Sequence, residues 1–520
     1  DPDSGELRVL AMCAYVRAAE RAESVGAPEA AEAAYLRAAD LSSDEAEQAG
    51  FTYLAGRMAA SAGWNERALG YFETAIAAHA KAGRVVDAAR VTARLGSVLN
   101  NLGRGEQAIT LIREALASLE GTDTPPQVVA DLQARLAGAL IFSGHVREAA
   151  GPIEEALTLA QHYELSEPLA GALGARAMLL DYAGRAEEAG AHYELSAAVA
   201  RRHGITESEA IAEGNHADLC MTHDLPGAEE HARTALGLAR RWGQRRNEAN
   251  AAANLMYILT MAGRLDEAFQ LGTEFFQGAG DERPGADLMN NRLAHLEALR
   301  GNTDSCREHL RGCAVWAQSD NVEHRAMFAS SQAATSLAEG DPRQALETAR
   351  RVIDAAGTAG LAVANEVVRL AFPIAVEAAI DLGDLDEADR LTSALMVRPP
   401  GEVPPFLRAQ VARAKALVAS ARGDDETVEE NLVTAESTLR DLGYPYWTAR
   451  AQLDRAEWLA RQGRLDKSAS LAGEAAATFE AVGAAAMLAR ARVLLEPEMV
   501  RNPGGNDERV VAQSYPSPSE

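Results

Sequence analysis

Leu95-Gly96-Ser97-Val98-Leu99-Asn100-Asn101-Leu102-Gly103-Arg104-Gly105-Glu106-Gln107-Ala108-Ile109-Thr110-Leu111-Ile112-Arg113-Glu114-Ala115-Leu116 carries two apolar stripes and the break between them. Leu95, Val98, Leu99 and Leu102 fall at i, i+3, i+4 and i+7 of one helix, and that stripe stops at Gly103. Ile109, Ile112, Leu116 and Leu119 begin a second. Glycine takes the left-handed backbone that closes a helix without steric cost, and an alanine five positions later lets two helices approach closely. The stretch therefore reads as a helical hairpin.

The same punctuation recurs along the chain. Gly26, Gly63, Gly103, Gly144, Gly184, Gly263, Gly301, Gly340, Gly383, Gly423 and Gly463 are spaced close to forty residues apart, as in 103 − 63 = 40 and 463 − 423 = 40. The step from Gly184 to Gly263 is double, 79, and His223-Asp224 stands where the missing glycine belongs. Ala31, Ala68, Ala108, Ala149, Ala189, Ala268, Ala345 and Ala388 each follow five residues after a glycine of the series. A lone hairpin cannot bury its apolar faces, so copies must stack. The fold expected is all-α: a right-handed superhelical solenoid of about twelve hairpins, with a concave and a convex surface and each unit contacting mainly its neighbours.

Composition supports this reading. Aromatic residues make up 5% and hydrophobic residues 47%, much of the latter alanine, which suits close helix pairs and not a sheet core. No run of eighteen uncharged apolar residues occurs, and Asp1-Pro2-Asp3-Ser4-Gly5-Glu6 has neither a basic nor an apolar leader region, so we expect no membrane segment and a cytoplasmic location. The chain begins without methionine, as a piece of a longer polypeptide would. A net charge of −26 opposes direct nucleic-acid binding, and the basic run Arg240 to Arg246 reads as a solvated inter-repeat loop. Four cysteines are too few for a disulfide framework. Cys306, His309 and Cys313 lie on one helix, but Cys306 occupies a packing-alanine position and reads as a small buried thiol; no metal site is expected.

Catalytic signatures are missing. Only Lys81, Lys415 and Lys467 occur and none follows glycine, which excludes a Walker A phosphate loop. There is no His-Glu-x-x-His, no Gly-x-Ser-x-Gly and no dinucleotide fingerprint. We therefore expect no catalytic site and no cofactor within this chain. The repeats run over 1–496, with a bend near 398–405 in Arg398-Pro399-Pro400-Gly401-Glu402-Val403-Pro404-Pro405, a kink at Pro373 in an apolar helix from Leu361 to Leu382, and a disordered tail over 497–520.

Gly144-His145-Val146-Arg147-Glu148-Ala149 and Gly263-Arg264-Leu265-Asp266-Glu267-Ala268 resemble the turns of long tetratricopeptide repeats. More narrowly, residues 18–29, with Ala22-Glu23-Ser24-Val25-Gly26-Ala27-Pro28-Glu29, and residues 479–495, with Phe479-Glu480-Ala481-Val482-Gly483-Ala484, are similar to the repeat region of bacterial adenylate/guanylate cyclase–ATPase–tetratricopeptide signalling proteins. That resemblance implies a class III cyclase domain and an ATPase domain ahead of Asp1, with ATP bound there and not in this chain. LuxR-type ATPase regulators carry similar repeats but end in a helix-turn-helix, for which the Asp507 to Glu520 tail is too short.

The function expected is a protein- or ligand-interaction and regulatory module in signal transduction, binding a protein, a peptide or a small-molecule inducer. The alternatives are the regulatory part of a cyclase–ATPase polypeptide and a freestanding scaffold. Candidate concave-face residues stand nine positions before the turn: Arg94, Arg135, Asn254 and Arg292, with Asn215 matching if His223-Asp224 replaces the glycine. Arginine and asparagine donate hydrogen bonds to carboxylates and carbonyls, as capture of an extended peptide requires.

Overall fold

A computed structural model describes residues 2–277, 283–359 and 361–495. It contains twenty-five α-helices, and the described residues include no strand. The hairpins are α1 (Pro2–Ser24) with α2 (Pro28–Leu41), α3 (Glu45–Ser61) with α4 (Asn65–Lys81), α5 (Val85–Asn101) with α6 (Gly105–Ser118), and α7 (Pro126–Phe142) with α8 (Ala150–His162). They continue as α9 (Ser166–Tyr182) with α10 (Ala186–His203), α11 (Thr206–Cys220) with α12 (Leu225–Arg241), α13 (Arg245–Met261) with α14 (Leu265–Phe276), and α15 (Ala286–Arg300) with α16 (Thr303–Gly312). The last are α17 (Val322–Ala338) with α18 (Pro342–Thr358), α19 (Glu366–Asp381) with α20 (Leu385–Met396), α21 (Pro405–Arg422) with α22 (Val428–Asp441), and α23 (Pro445–Arg461) with α24 (Leu465–Val482), followed by α25 (Ala485–Val493).

The sequence rule is realised at atomic detail. All eleven glycines of the series have φ between 70° and 88°, and all eight following alanines are 0% exposed. Cys306 takes the same place in its hairpin, is equally buried, and turns its thiol to the Ala294 carbonyl. The turn at His223-Asp224 closes differently. Its backbone is not left-handed; the Asp224 amide donates to the Cys220 carbonyl at 2.7 Å, and the Asp224 carboxylate accepts from the Gly227 amide at 3.1 Å. Two expected boundaries move. The apolar helix starts at Glu366 and not at Leu361, because the Asn365 side chain accepts from the Val367 amide and caps it there. Pro373 lies within this helix, which continues to Asp381. Pro400–Glu402 forms a 3₁₀ turn joining α20 to α21. The expected tail over 497–520 lies outside the described residues.

Odd-numbered helices from α3 to α23 each touch the next odd-numbered helix, whereas even-numbered helices pack on the odd ones beside them. The odd helices thus line the inside of the superhelix. Units contact mainly their neighbours, as expected, and the array in addition comes back onto itself at a few points. A Cβ added to Gly26 would lie 2.8 Å from the Arg241 carbonyl oxygen, and one on Gly243 would lie 2.2 Å from the Gly26 carbonyl oxygen; 243 − 26 is 217, about five and a half hairpins. Further along, the Asp320 amide donates to the Gly103 carbonyl at 2.7 Å, the Ala362 amide to the Tyr182 carbonyl at 2.8 Å, and the Tyr444 hydroxyl to the Met221 carbonyl. The glycines that end inner helices therefore also let one superhelical turn sit on the next.

Candidate functional site

Closing the turns on one another brings charged residues of distant hairpins together inside the superhelix. Arg292 on α15 grips Glu366 on α19 with both terminal nitrogens, one at 3.0 Å, and its guanidinium lies 4.7 Å from the centre of the Tyr257 ring. Arg369, one turn further along α19, donates to Asp218 on α11 at 3.1 Å. Burial is the dominant influence on the neighbouring titratable groups. It pushes His295 down to about 4, and it raises Asp181 and Glu323 to about 7.

Toward the C-terminal end the inner helices part around a cavity of about 210 Å³, partly open to solvent. Its polar wall centres on Glu377 of α19, which accepts from Arg413 of α21 at 2.7 Å and pairs with Arg450 of α23 at 2.9 Å. Although desolvation opposes ionisation, these two guanidinium groups hold the Glu377 carboxyl down at about 2. Arg413 also binds Asp454, and Arg450 contacts the Met487 sulfur. The apolar wall is aromatic: Phe406 meets Trp447 edge-on at 5.7 Å, and Trp447 meets Tyr446 at 5.4 Å. Two buried donors have no partner here, Nε of Arg369 and Nε of Arg450, and Nδ1 of His295 is likewise unpaired. Four arginines, Arg369, Arg413, Arg450 and Arg490, face three carboxyl groups, Glu377, Asp381 and Asp454. Arg369 and Arg490 are also paired beyond the lining, with Asp218 and Glu457, and it is the unused nitrogens beside the aromatic wall that suit a ligand bringing carboxylate or carbonyl oxygens and an apolar group.

The five residues chosen from sequence are all on inner helices, and their surroundings differ. Arg94 on α5 pairs with Glu167 on α9 at 2.6 Å and Arg135 on α7 with Asp131 at 3.3 Å, both keeping part of their side chains exposed. Asn254 on α13 donates to the Gly214 carbonyl of α11 at 3.0 Å, a bond between successive inner helices. Arg292 is buried in its pair with Glu366, and Asn215 is half-buried on α11. None lines the C-terminal cavity. The cavity residues Glu377, Arg413, Trp447 and Arg450 were missed because the counting rule picks one register position in every unit. Arg413 and Arg450 stand ten and thirteen positions before Gly423 and Gly463, off that register.

Two other sequence features resolve into structure. In the basic run, Arg240 and Arg245 both pair with Glu248, at 3.3 and 3.0 Å, while Arg246 lies 4.0 Å from Asp287. The Cys313 thiol points to the His309 carbonyl at 3.5 Å, and the His309 ring bonds Asn290 at 2.8 Å, so Cys306, His309 and Cys313 do not converge. No helix among the described residues is long and apolar enough to cross a membrane.

The described residues form an array of helical hairpins. No protein-family model matches it, and neither does any curated protein. Solved helical-repeat structures are similar at low identity. A Rap protein complexed with Competence and Sporulation Factor is 14% identical, with a TM-score of 0.49 over 68% of this chain and 99% of that one. The apo quorum sensor NprR from B. thuringiensis is 12% identical, with a TM-score of 0.39 over 66% and 99%. The APC/C hetero-tetramer Cut9-Hcn1 is 12% identical, with a TM-score of 0.43 over 85% and 96%.

Proposed function

We propose that this chain is the ligand-binding, regulatory module of a multidomain bacterial signalling protein, and that it takes a short peptide or small anionic inducer into the C-terminal cavity. The observation that carries this reading is the pairing of unused buried donors on Arg369 and Arg450 with the aromatic wall of Phe406, Tyr446 and Trp447. A buried arginine nitrogen without a partner costs free energy that an incoming oxygen recovers. A peptide carboxylate does this while its side chain covers the aromatic wall. Binding then biases how the superhelical turns sit on one another, since α19 and α23 belong to both the cavity and the inter-turn contacts. The similarity of residues 18–29 and 479–495 to cyclase–ATPase–repeat proteins supports a cyclase and an ATPase as the regulated domains. The partly exposed pair Arg94 and Arg135 is the proposed secondary contact toward the N-terminal end.

The test is a titration of the full chain with a pool of short peptides bearing free C-terminal carboxylates, followed by tryptophan fluorescence. Subtracting the response of Trp447→Phe isolates the cavity. Saturable quenching that disappears in Trp447→Phe, with a rise in Tm as occupancy increases, supports the reading. Quenching that persists in Trp447→Phe places the binding elsewhere. A start codon just ahead of Asp1 would favour a freestanding scaffold instead.

A further inference from the structure

The one hairpin that lacks its glycine carries the second cluster. α11 ends early, at Cys220, and on its last turns His216 and Cys220 stand at i and i+4 on one face. His231 comes from the facing helix α12, and its ring lies 4.2 Å from that of His216. One nitrogen from each imidazole and the Cys220 sulfur all lie within 4.8 Å of one another. Four-coordinate zinc with bonds of about 2.0–2.3 Å sets its ligand atoms roughly 3.3–3.8 Å apart, so small side-chain rotations close the gap.

A second layer is already built around these atoms. Nδ1 of His231 is hydrogen-bonded to Glu213 Oε2 at 2.6 Å, and the other oxygen of Glu213 accepts from Arg201 at 2.8 Å. A carboxylate fixing Nδ1 commits that ring to presenting Nε2, the arrangement that orients and strengthens imidazole ligands of zinc. Glu194 of α10 lines the same recess and stands near enough to act electrostatically on His216, Cys220 and His231. Two nitrogens and a sulfur exclude magnesium and calcium, which take oxygen, and select a borderline-soft divalent ion.

We propose that His216, Cys220 and His231 form a binding site for one zinc(II) ion, with Glu194 or water as the fourth ligand. On binding, the Cys220 S–H bond breaks, its proton leaves to solvent and the sulfur bonds the metal. The site clamps α11 to α12 next to Met221, whose carbonyl receives the Tyr444 hydroxyl from the following superhelical turn. Zinc thereby stiffens a contact between turns.

The full chain, stripped of metal with a chelator and carrying no affinity tag, is titrated with cobalt(II) and then zinc(II). The expected result is one equivalent of cobalt, with a thiolate-to-cobalt charge-transfer band and tetrahedral visible bands that zinc abolishes. Cys220→Ser removes the charge-transfer band, His231→Gln weakens zinc binding more than 100-fold, and Glu213→Gln weakens it by about 10-fold to 100-fold. Far-UV circular dichroism of each variant confirms that the helices persist, and the conservative Cys220→Ser keeps the test open if His216→Ala fails to fold. Absence of a thiolate band, or a band that survives Cys220→Ser, overturns the proposal.

Discussion

Ala108 and Ala268 sit at hairpin seams with no exposed surface, and Arg413 and Arg450, buried nearly as deeply, sit inside the superhelix on a shared carboxylate. The seams are alike in almost every unit because two helices must meet at one distance, and only a small side chain permits it. The inner wall obeys no such repetition. Its charges are placed singly, and the buried ones find partners in other hairpins: Arg292 in Glu366, Arg369 in Asp218, Arg413 in Glu377. What repeats therefore builds the solenoid, and what departs from the repeat equips it.

The largest expected effect lies in the inner wall. Glu377→Ala leaves the Arg413 and Arg450 guanidinium groups without the carboxylate they share, and removing one partner of a buried ion pair costs about 3–5 kcal/mol. Urea unfolding measures it. A loss below about 1 kcal/mol would show that water screens this wall as it does a surface pair, and the contrast with the seams would collapse.

Next come the seams. Ala108→Leu and Ala268→Leu should each destabilise by about 1–3 kcal/mol through overpacking. The distribution of the damage sharpens the comparison. In an open array hydrogen exchange would rise only in neighbouring units. Here it should rise also around Ser319 and Asp320 for the first variant and around Pro445 for the second, because those residues rest on the Gly103 and Gly263 turns.

The charged interior also gives the molecule a pH response that the seams lack. Burial raises Asp181 and Glu323 to about 7, above the usual carboxyl value of about 4. The folded chain thus holds protons that the unfolded chain has released, so their contribution is complete below about pH 4 and is lost as pH rises through 7. Glu377, held down at about 2, acts with the opposite sign: its contribution is present above about pH 4 and is lost as pH falls toward 2. Thermal melts from pH 4 to 8 should show stability declining across neutrality, and Asp181→Asn with Glu323→Gln should flatten that decline. A decline unchanged in the double variant would assign it to other groups.

The smallest effect is expected at Arg94 and Arg135. Their pairs with Glu167 and Asp131 are partly exposed, and such pairs contribute about 0–1 kcal/mol. Replacing both with alanine should leave Tm nearly unchanged. A loss of several degrees would make them struts of the inner wall.

How far the sequence could be read follows the same division. The glycine series marked every hairpin from Gly26 to Gly463 except the one closed by His223-Asp224, which its doubled spacing revealed, because a left-handed closure favours one residue type. A second glycine series, Gly83, Gly204, Gly243, Gly443 and Gly483, marks the turns between hairpins and has the same positive φ. Gly243 belongs to it, and it carries the contact with Gly26 that closes the superhelix. That contact was illegible because no local pattern states how many hairpins make one turn. Arg292 was selected by register as a binding residue and lies in a buried pair, since register gives the face of a helix and not what stands across from it. His216, Cys220 and His231 went unnoticed for a related reason: they lie on two helices, four and eleven positions apart, and only the hairpin geometry joins them.

Ligand capture inside the superhelix is tested most directly by hydrogen exchange of the full chain with and without the tightest-binding peptide of the pool. Protection should appear together in Glu366–Asp381, Pro405–Arg422 and Pro445–Arg461, three inner helices separated in sequence and joined at the cavity. Protection confined to even-numbered helices, with these three unchanged, would place the ligand on the outer surface and contradict the account.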